Sequence, residues 1–236
     1  STKIESKLRN VTITNILRRG KYLIFLYKNN FSLLCHLGMT GSFRIQRIRE
    51  KRKHDHIIFN FEKSFLIFND IRKFGFVKIF SGINIKKIKH LNLLGPEPLS
   101  EDYNLEYFKQ YLIGKKRTIK DLLMDQKFLA GLGNIYVNEI LFLSKIKPKK
   151  KVSRLKDIEI ENIIRNTKIV LKKAIMLGGS SIKNFSNDKG KKGNFQQLFN
   201  VYGRKGEKCS NFDCNGKVKK IVISNRSTFF CGICQK

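Results

Sequence analysis

Four cysteines near the end of the chain have the residue type and the spacing of a metal site. Cys209 and Cys214 are separated by four residues, and Cys231 and Cys234 by two. Four thiolates can bind one Zn²⁺ as a tetrahedron, each at about 2.3 Å. Two disulfides are the alternative, but they are typical of small secreted domains, no segment resembles a signal peptide, and Cys35 would be left over. The sequence therefore predicts one structural zinc ion in a closed site, which does no chemistry itself.

The segment between the two cysteine pairs predicts a β-hairpin. It reads KVKKIVISNRSTFF, two short strands rich in β-branched and aromatic residues around a turn at Ser224–Asn225. An isolated two-stranded hairpin is only marginally stable in water, so the zinc ion is expected to hold its two ends together. Arg226 would then lie at the tip of the hairpin, among small polar residues.

The charge of the chain indicates a polyanionic partner. Lysine and arginine number 49 against 18 aspartates and glutamates, which gives a net charge of +31. Such an excess costs self-repulsion in the folded state, and its usual use is contact with a polyanion. A codon bias towards Lys, Ile and Asn would explain part of it. Nucleic acid is the leading partner. An anionic membrane is the second candidate, but no apolar run approaches the length of a spanning helix, which argues against it.

Two kinds of hydrophobic period divide the chain. Residues 11–80 contain short runs rich in Ile, Phe, Val and Tyr, separated by Asn, Gly, Lys and Asp, which predict the strands of an antiparallel sandwich. The segment LGPEPLS at residues 94–100 is a rigid loop suited to a domain boundary. From residue 101 the period becomes helical. The predicted fold class is therefore α+β.

Four helices are expected after residue 100. The first is capped by Ser100 and ends near Gly114, the second is capped by Thr118, the third follows the segment GLGN, and the fourth runs from Ser153 to Gly178–Gly179. Residues 178–200 are rich in Gly, Ser, Asn and Lys and predict a mobile loop.

The GLGN segment has two interpretations. Gly131 and Gly133 would let a phosphate approach the backbone N–H groups at the start of the third helix, and Asn134 could donate its amide to the same phosphate. The other interpretation is a packing joint between two helices, in which Asn134 is only a cap. This segment alone does not distinguish between them.

Taken in order, the segments resemble the formamidopyrimidine-DNA glycosylases, bacterial base-excision enzymes that remove oxidised purines and nick the abasic site. No single motif is decisive, but eight in the family's order are very specific. The matching segments cover almost the whole chain and are RRGKYLIF, HLGMTGSFRI, KHDHIIF, NDIRKFGF, LGPEPLS, LLMDQKFLAGLGNIYVNEILF, GGSSIKNF, and VYGRKGE with NRSTFFCGICQK.

The resemblance implies a domain organisation and a partner. Residues 1–100 correspond to a β-sandwich domain, residues 101–200 to a helix–two-turn–helix domain with a lesion-recognition loop at 178–200, and residues 201–236 to a Cys₄ zinc hairpin. In the family, double-stranded DNA with an oxidised base or an abasic site binds in the cleft between the domains. A monomer in the bacterial cytoplasm, associated with the nucleoid and not with a membrane, is the family's default.

The resemblance also implies which residues enter the DNA. A glycosylase takes the damaged base out of the stack, and something must fill the space that remains. Met39, Arg72 and Phe74 match the wedge that fills it, in which Arg72 pairs with the orphaned base. Without the family, Met39 and Phe74 would be assigned to the core and Arg72 to the solvated surface.

Other positions match residues that contact the DNA backbone or take part in cleavage. Lys21 matches the lysine linked to β-elimination. Arg226 matches the arginine that binds the phosphate beside the lesion and is linked to δ-elimination; a guanidinium fork suits that phosphate. The remaining matches are the DNA-contacting residues His54 and Lys116, and Lys120 with Asn134 as a phosphate clamp.

One departure concerns the catalytic nucleophile. The family begins with Pro-Glu, whose proline amine attacks the sugar and whose glutamate handles the protons. Here the match is expected to begin only at the strands before RRGKYL, Glu5 is not the family's glutamate, and Pro96, Pro98 and Pro148 are internal. The chain is therefore expected to be a fragment of a longer gene product, because the other matching residues remain.

Other functions fit part of the pattern. A catalytically dead zinc protein that binds damaged DNA would explain the missing Pro-Glu. The sister branch that acts on oxidised pyrimidines is a close variant, but the wedge residues argue against it. A zinc-ribbon protein that binds RNA or ribosomes would have no use for the wedge. The favoured function is a bifunctional glycosylase and lyase that removes 8-oxoguanine and formamidopyrimidines and nicks by β,δ-elimination.

Overall fold

The computed structural model describes residues 2–82, 84, 88–180 and 193–236. These residues form two compact units: the first holds the described residues of 1–92 and 180–194, and the second those of 93–179 and 195–236. No helix in this part of the chain has both the length and the apolar composition needed to cross a bilayer. The hairpin groups with the helices, and the three-part division at residues 100 and 200 stays a prediction.

The first unit is the predicted antiparallel sandwich. Its seven strands are β1 (Ile13–Arg19), β2 (Tyr22–Tyr27), β3 (Phe31–His36), β4 (Gly41–Gln46), β5 (Asp55–Phe61), β6 (Ser64–Asp70) and β7 (Phe76–Ser81). One sheet has the order β1-β2-β3-β7 and the other the order β4-β6-β5. Every neighbouring pair is antiparallel. β4 and β5 therefore run parallel to each other on either side of β6.

The core of the sandwich is built from the alternating apolar residues of both sheets. Phe25, Leu33 and Cys35 of the larger sheet are buried, and Phe43 and Phe59 of the smaller sheet pack against them. The rings of Phe25 and Phe43 meet edge to face, with centroids 5.9 Å apart. The period of two in residues 11–80 is thus explained by one buried face on each sheet.

A short helix that the sequence analysis did not predict precedes the first strand. It is α1 (Thr2–Leu8), and its residues Ile4 and Leu8 pack against the sandwich core. Residues four apart lie on one face of a helix, so two apolar side chains suffice to dock this helix of about two turns. A second short helix, α2 (Lys89–Asn92), buries Leu91 in the same unit.

The second unit contains four further helices. They are α3 (Leu105–Leu112), α4 (Ile119–Met124), α5 (Asn134–Leu143) and α6 (Asp157–Met176). Their apolar faces meet in one core that includes Phe108, Leu122, Phe128, Ile140 and Ile163. The predicted number of helices is confirmed, and so is the cap at Thr118, whose Oγ1 accepts from the backbone N–H of Asp121 at 3.2 Å.

Two predicted helix starts are wrong. Asn104, not Ser100, caps α3, because its Oδ1 accepts from Tyr107 N at 2.9 Å, whereas the Ser100 hydroxyl donates to the Glu97 carbonyl. α6 begins at Asp157 rather than near Ser153, because residues Val152–Arg154 form a separate 3₁₀ helix. The predicted end of α6 is confirmed: Gly178 and Gly179 both have positive φ, 71° and 85°.

The C-terminal hairpin has the predicted strands and turn. β8 (Val218–Ile223) pairs with β9 (Arg226–Cys231), and Ser224 and Asn225 both adopt left-handed φ, 47° and 58°. Two such residues in succession make a type I′ turn, whose twist suits a two-residue hairpin. The hairpin packs on α5 through Phe142, which lies in one buried cluster with Val201, Val218 and Phe229.

Candidate metal centre and nucleic-acid interface

The four C-terminal cysteines come together at the base of the hairpin. Their Sγ atoms all lie within 4.8 Å of one another, with Cys209–Cys234 at 3.6 Å and Cys214–Cys231 at 3.7 Å. A disulfide would need about 2.05 Å. A tetrahedron with Zn–S bonds of about 2.3 Å has sulfur–sulfur edges of about 3.8 Å. The donor set therefore fits tetrahedral metal and not two disulfides.

The surroundings of the cysteines favour thiolates that share a cation. The backbone N–H groups of Asn211 and Gly216 donate to the sulfurs of Cys209 and Cys214 at 3.5 and 3.3 Å. A Cβ at Gly216 would lie 2.8 Å from the sulfur of Cys231, so the chain passes the site where only glycine fits. Burial, the largest cause, raises the pKa of the Cys209 thiol to about 12. Thiolates in this cluster therefore need a bound cation.

The tip of the hairpin is tied to the start of α4. The Ser224 hydroxyl donates to Asp121 Oδ1 at 2.7 Å, and the Thr118 hydroxyl donates to Asp121 Oδ2 at 2.6 Å. Arg226 follows the turn as the first residue of β9, and its side chain is exposed. The second unit therefore presents the predicted hairpin arginine on a turn that is fixed by the helical domain.

Lys120 and Asn134 meet at one backbone carbonyl of the hairpin. The Asn134 amide donates to the carbonyl of Ser227 at 2.9 Å, and the Lys120 ammonium donates to the same oxygen at 3.3 Å and to the hydroxyl of Thr228. Only 1% of Lys120 is exposed. The structure thus brings together three predicted site residues, since Arg226 directly precedes Ser227. Direct contact of Lys120 and Asn134 with a phosphate stays a prediction.

The burial of Lys120 gives a pH dependence with a defined sign. Desolvation, the largest cause, lowers its pKa from 10.5 to about 8, and neighbouring Arg226 adds to the lowering. Between pH 8 and 10.5 the unfolded chain therefore binds more protons at this residue than the folded protein, so its contribution to the unfolding free energy rises with pH.

A comparison with Lys120→Met, which has a side chain of similar length without charge, tests this prediction. Urea unfolding at pH 7.5, 9 and 10.5 should show that the wild type gains stability relative to the variant across this window. Parallel curves for the two proteins would contradict the lowered pKa.

The GLGN segment forms a joint whose asparagine is not a cap. Gly133 is the N-cap of α5 and no side-chain cap is present, so the interpretation of Asn134 as only a cap is wrong. Asn138, one turn further, donates to the Asn134 carbonyl at 2.6 Å and accepts from Phe229 N at 2.6 Å. One face of α5 therefore holds both the turn-proximal and the central part of β9.

Glu139 is a positioning residue that sequence reasoning missed. Only 1% of it is exposed, and its carboxylate accepts four hydrogen bonds of 2.8–3.1 Å. The donors are the Asn200 backbone and amide and the backbones of Val201 and Tyr202. A glutamate inside the apolar run NIYVNEILFL was the available signal, because a buried carboxylate needs partners. It fixes the segment that leads into the hairpin.

In the first unit, the three predicted wedge residues lie side by side and are exposed. The Arg72 guanidinium lies over the ring of Phe74, with 4.5 Å between Cζ and the ring centroid, and its Nη1 lies 3.8 Å from the Met39 sulfur. Met39 is 68% exposed and Phe74 56%. Met39 and Phe74 are therefore on the surface, as the resemblance predicts, and not in the core, as their residue types alone would suggest.

Asp70, also missed, joins the two loops that carry these residues. It is fully buried, and its carboxylate accepts from the Thr40 hydroxyl at 2.5 Å and from the backbone N–H groups of Arg72 and Gly75 at 3.2 and 2.7 Å. These hydrogen bonds lower the pKa of Asp70 although burial, the largest single effect, opposes them. A Cβ at Gly38 would lie 2.7 Å from Gly75 N, so glycine permits the loops to approach this closely.

The remaining predicted site residues, Lys21, His54 and Lys116, are exposed or half-buried. Lys21 lies at the turn between β1 and β2, where it contributes, after burial, to lowering the pKa of His36. His54 has a left-handed φ of 70°, and its carbonyl accepts from Asp70 N at 3.1 Å. Lys116 is exposed just before α4, in the second unit. The roles of all three stay predictions.

Comparison with known proteins identifies the family. Residues 1–77 match the family model described as the formamidopyrimidine-DNA glycosylase N-terminal domain, and residues 94–186 match the formamidopyrimidine-DNA glycosylase H2TH domain. The chain belongs to the formamidopyrimidine-DNA glycosylase family. The fold expected for these glycosylases, with sandwich, helix–two-turn–helix domain and four-cysteine hairpin, is confirmed.

Close relatives carry the name of these glycosylases. The chain is 46% identical over 239 residues to the formamidopyrimidine-DNA glycosylase of Rickettsia canadensis and 45% identical to that of Rickettsia felis, covering all of this chain and 86% and 85% of those proteins. It is also similar to crystal structures of Lactococcus lactis Fpg bound to DNA with an abasic site and to Fapy-dG DNA. Both are 39% identical, cover all of this chain and 86% of those chains, and have TM-scores of 0.91 and 0.90.

One sequence prediction about this glycosylase chain is wrong, and part of another lies outside the described residues. The prediction that the match begins only at the strands before RRGKYL is wrong, because the N-terminal family model matches from residue 1. The physical reason is that α1 packs Ile4 and Leu8 on the sandwich and so belongs to the domain. Of the lesion-recognition loop predicted at residues 178–200, residues 181–192 lie outside the described residues.

Proposed function

We propose that this member of a DNA glycosylase family removes oxidised purines, namely 8-oxoguanine and formamidopyrimidines, and cleaves the resulting abasic site by β,δ-elimination. Its partner is double-stranded DNA that contains such a base or an abasic site. It acts as a monomer on the nucleoid in the bacterial cytoplasm. The solved relatives from Lactococcus lactis, which are complexes with abasic and Fapy-dG DNA, support this substrate class.

One observation carries the proposal: an arginine stacked on an exposed phenylalanine beside an exposed methionine. These two large apolar side chains lie next to each other in water, and each would gain roughly 1.5–3 kcal/mol if a partner fully buried it. Between base pairs, Met39 and Phe74 would be buried and the planar guanidinium of Arg72 would face base edges. A wedge of this composition fits the space that an everted base leaves behind.

The other predicted residues take the roles that the family resemblance implies. Arg226 binds the phosphate beside the lesion and assists δ-elimination, and Lys21 assists β-elimination. His54 and Lys116 bind the DNA backbone. Lys120 and Asn134 clamp the same phosphate. They also position the hairpin, because both donate to the carbonyl of Ser227, the residue after Arg226.

We propose that the metal is one structural zinc ion held by Cys209, Cys214, Cys231 and Cys234. When bound, zinc supplies four strong bonds that close the base of the hairpin and no catalytic chemistry. The fit of the sulfur–sulfur distances to a zinc tetrahedron supports this assignment.

Borohydride trapping tests the proposed reaction. An amine attacks C1′, the base leaves with the glycosidic bond pair, and borohydride reduces the Schiff base to a stable protein–DNA adduct. The printed sequence holds three prolines, all internal, so the experiment uses two proteins: this chain, and this chain preceded by a family-type Pro-Glu helix. An adduct on 8-oxoguanine duplex with the second protein, and none on undamaged duplex, is expected.

The same experiment separates the proposed reaction from its alternative, a lesion-binding protein without catalysis. The alternative predicts preference for 8-oxoguanine duplex by both proteins with an adduct from neither. That result would also remove the catalytic roles proposed for Lys21 and Arg226. Equal binding to damaged and undamaged duplex would contradict both candidates.

A further inference from the structure

A basic crossover connects the two outer strands of the smaller sheet. Because β4 and β5 run parallel on either side of β6, the segment between them must return along the sheet. It leaves beside Phe65, the partner of Gln46, and arrives beside Asn69, the partner of Asp55. Four residue steps of β6 separate these ends, which is a distance of about 14 Å. Residues 47–53, RIREKRK, make up this segment, hereafter the basic crossover.

The backbone of the basic crossover is fixed by a buried ion pair. The Arg44 guanidinium binds both oxygens of Asp55, with Nη1 and Oδ1 2.6 Å apart, and also donates to the Glu50 carbonyl at 3.3 Å. Asp55 accepts from Arg52 N at 2.7 Å, and Asn69 donates to the Lys53 carbonyl at 3.0 Å. The hydrogen bond from Arg44 is the largest cause that holds the pKa of Asp55 well below its usual range.

The charges on this fixed backbone are almost all positive and unpaired. The single acid, Glu50, is engaged by Arg52 at 3.1 Å. Arg47, Arg49, Lys51 and Lys53 are exposed at alternate positions, and within the described part of the chain none of them has an ion-pair partner. Arginine, with its planar fork of donors, is suited to bidentate contact with phosphate oxygens.

The end of the basic crossover adjoins the wedge. The carbonyl of His54 accepts from Asp70 N at 3.1 Å, and Arg72 lies two residues further along. The other end of the basic crossover, beside Phe65, is about 14 Å from this point along β6. That distance corresponds to about four base pairs of duplex at 3.4 Å each.

We propose that the basic crossover binds phosphates of duplex DNA roughly four base pairs to one side of the lesion, extending the footprint beyond the wedge. The proposal rests on the proposed function, since the wedge sets where the DNA lies. Arg47, Arg49 and Lys51 would each neutralise one phosphate, and each should make the fall of log K with log salt steeper by about 0.9.

The test compares two triple variants of equal charge. Arg47→Gln with Arg49→Gln and Lys51→Gln removes the basic crossover's charge and leaves Lys53, which adjoins His54. Lys28→Gln with Lys172→Gln and Lys173→Gln removes three exposed charges from other surfaces. Binding to a duplex of about 25 base pairs with a central tetrahydrofuran abasic analogue is measured against salt. The slope of log K against log salt is negative, and it should become less steep by about 2.7 in the first variant and by less than about 1 in the control.

Duplexes with the lesion about three base pairs from one end or the other give the direction. The first variant should bind like wild type to one of them and more weakly to the other. The proposal would be overturned if both variants lost the same DNA affinity, or if the first variant lost the same affinity on both truncated duplexes. It would also be overturned if the first variant kept its DNA affinity and lost only binding to anionic lipid vesicles. Failure of the proposed function is distinct, because the wild type would then not prefer the abasic analogue over undamaged duplex.

Discussion

Replacing Cys231 by serine is expected to release the metal and unfold the hairpin while the sandwich stays folded. Structural zinc contributes about 10–16 kcal/mol of apparent binding free energy at pH 7 in small zinc domains, far more than a two-stranded hairpin can replace. Cys231 is fully buried and in one cluster with Phe142, Val218 and Phe229. A serine hydroxyl there is a poor zinc ligand and a buried polar group.

Metal content and trypsin sensitivity measure this outcome. The wild type should hold one zinc per chain and resist cleavage at Lys217, Lys219 and Lys220, whereas the variant should hold none and be cut there. Cys35→Ala is the matched control, because it removes a buried thiol from the other unit and should keep the zinc. One zinc per chain in Cys231→Ser would contradict the four-cysteine site.

Glu139→Gln is expected to destabilise the second unit by about 3 kcal/mol. The carboxylate accepts four hydrogen bonds in a site where 1% of the residue is exposed. Glutamine keeps the shape but turns one oxygen into a donor, which would face other donors. At least one of the Asn200, Val201 and Tyr202 groups is then left buried without an acceptor. At about 2–4 °C per kcal/mol, the midpoint should fall by roughly 6–12 °C.

The readout should separate a local from a general effect. Hydrogen exchange of the Val201 and Tyr202 amides, which donate to Glu139, reports on this segment, and Tyr202 packs edge to face on Phe229 of the hairpin with centroids 5.1 Å apart. Glu161→Gln is the control, since it removes the same charge from an exposed position on α6. A midpoint for Glu139→Gln within about 2 °C of that control would mean that the buried carboxylate is not needed.

The sequence was most informative where one residue type has few uses. Paired cysteines at short spacings predicted the metal cluster, and the two hydrophobic periods predicted sandwich and helices. The wedge could be found only through the family, because nothing in the local pattern distinguishes an exposed Met39 or Phe74 from a core residue. Arg226 was placed correctly on the hairpin because the turn at Ser224–Asn225 can be read locally.

Interactions across long chain separations could not be predicted. Glu139 binds residues about 60 positions later, and Asp70 binds Thr40 thirty positions earlier. Both are single acidic residues in otherwise ordinary segments. The helix starts at Ser100 and Ser153 were wrong for a related reason: several side chains near each start can cap, and tertiary packing selects one. The helix α1 was missed because two apolar residues, Ile4 and Leu8, are too few to show a helical period in the sequence.

The clamp at Asp70 has a consequence for how the protein would open a DNA stack. One buried carboxylate and one close glycine contact join the loop of Met39 to the loop of Arg72 and Phe74 before any partner arrives. Fixing the backbone of a residue costs about 1–2 kcal/mol in entropy. In these two loops the entropy is lost when the protein folds and not when it binds DNA. Under the proposed function, the wedge would displace stacked bases as one preorganised body, so the binding free energy would go into unstacking DNA and not into ordering protein.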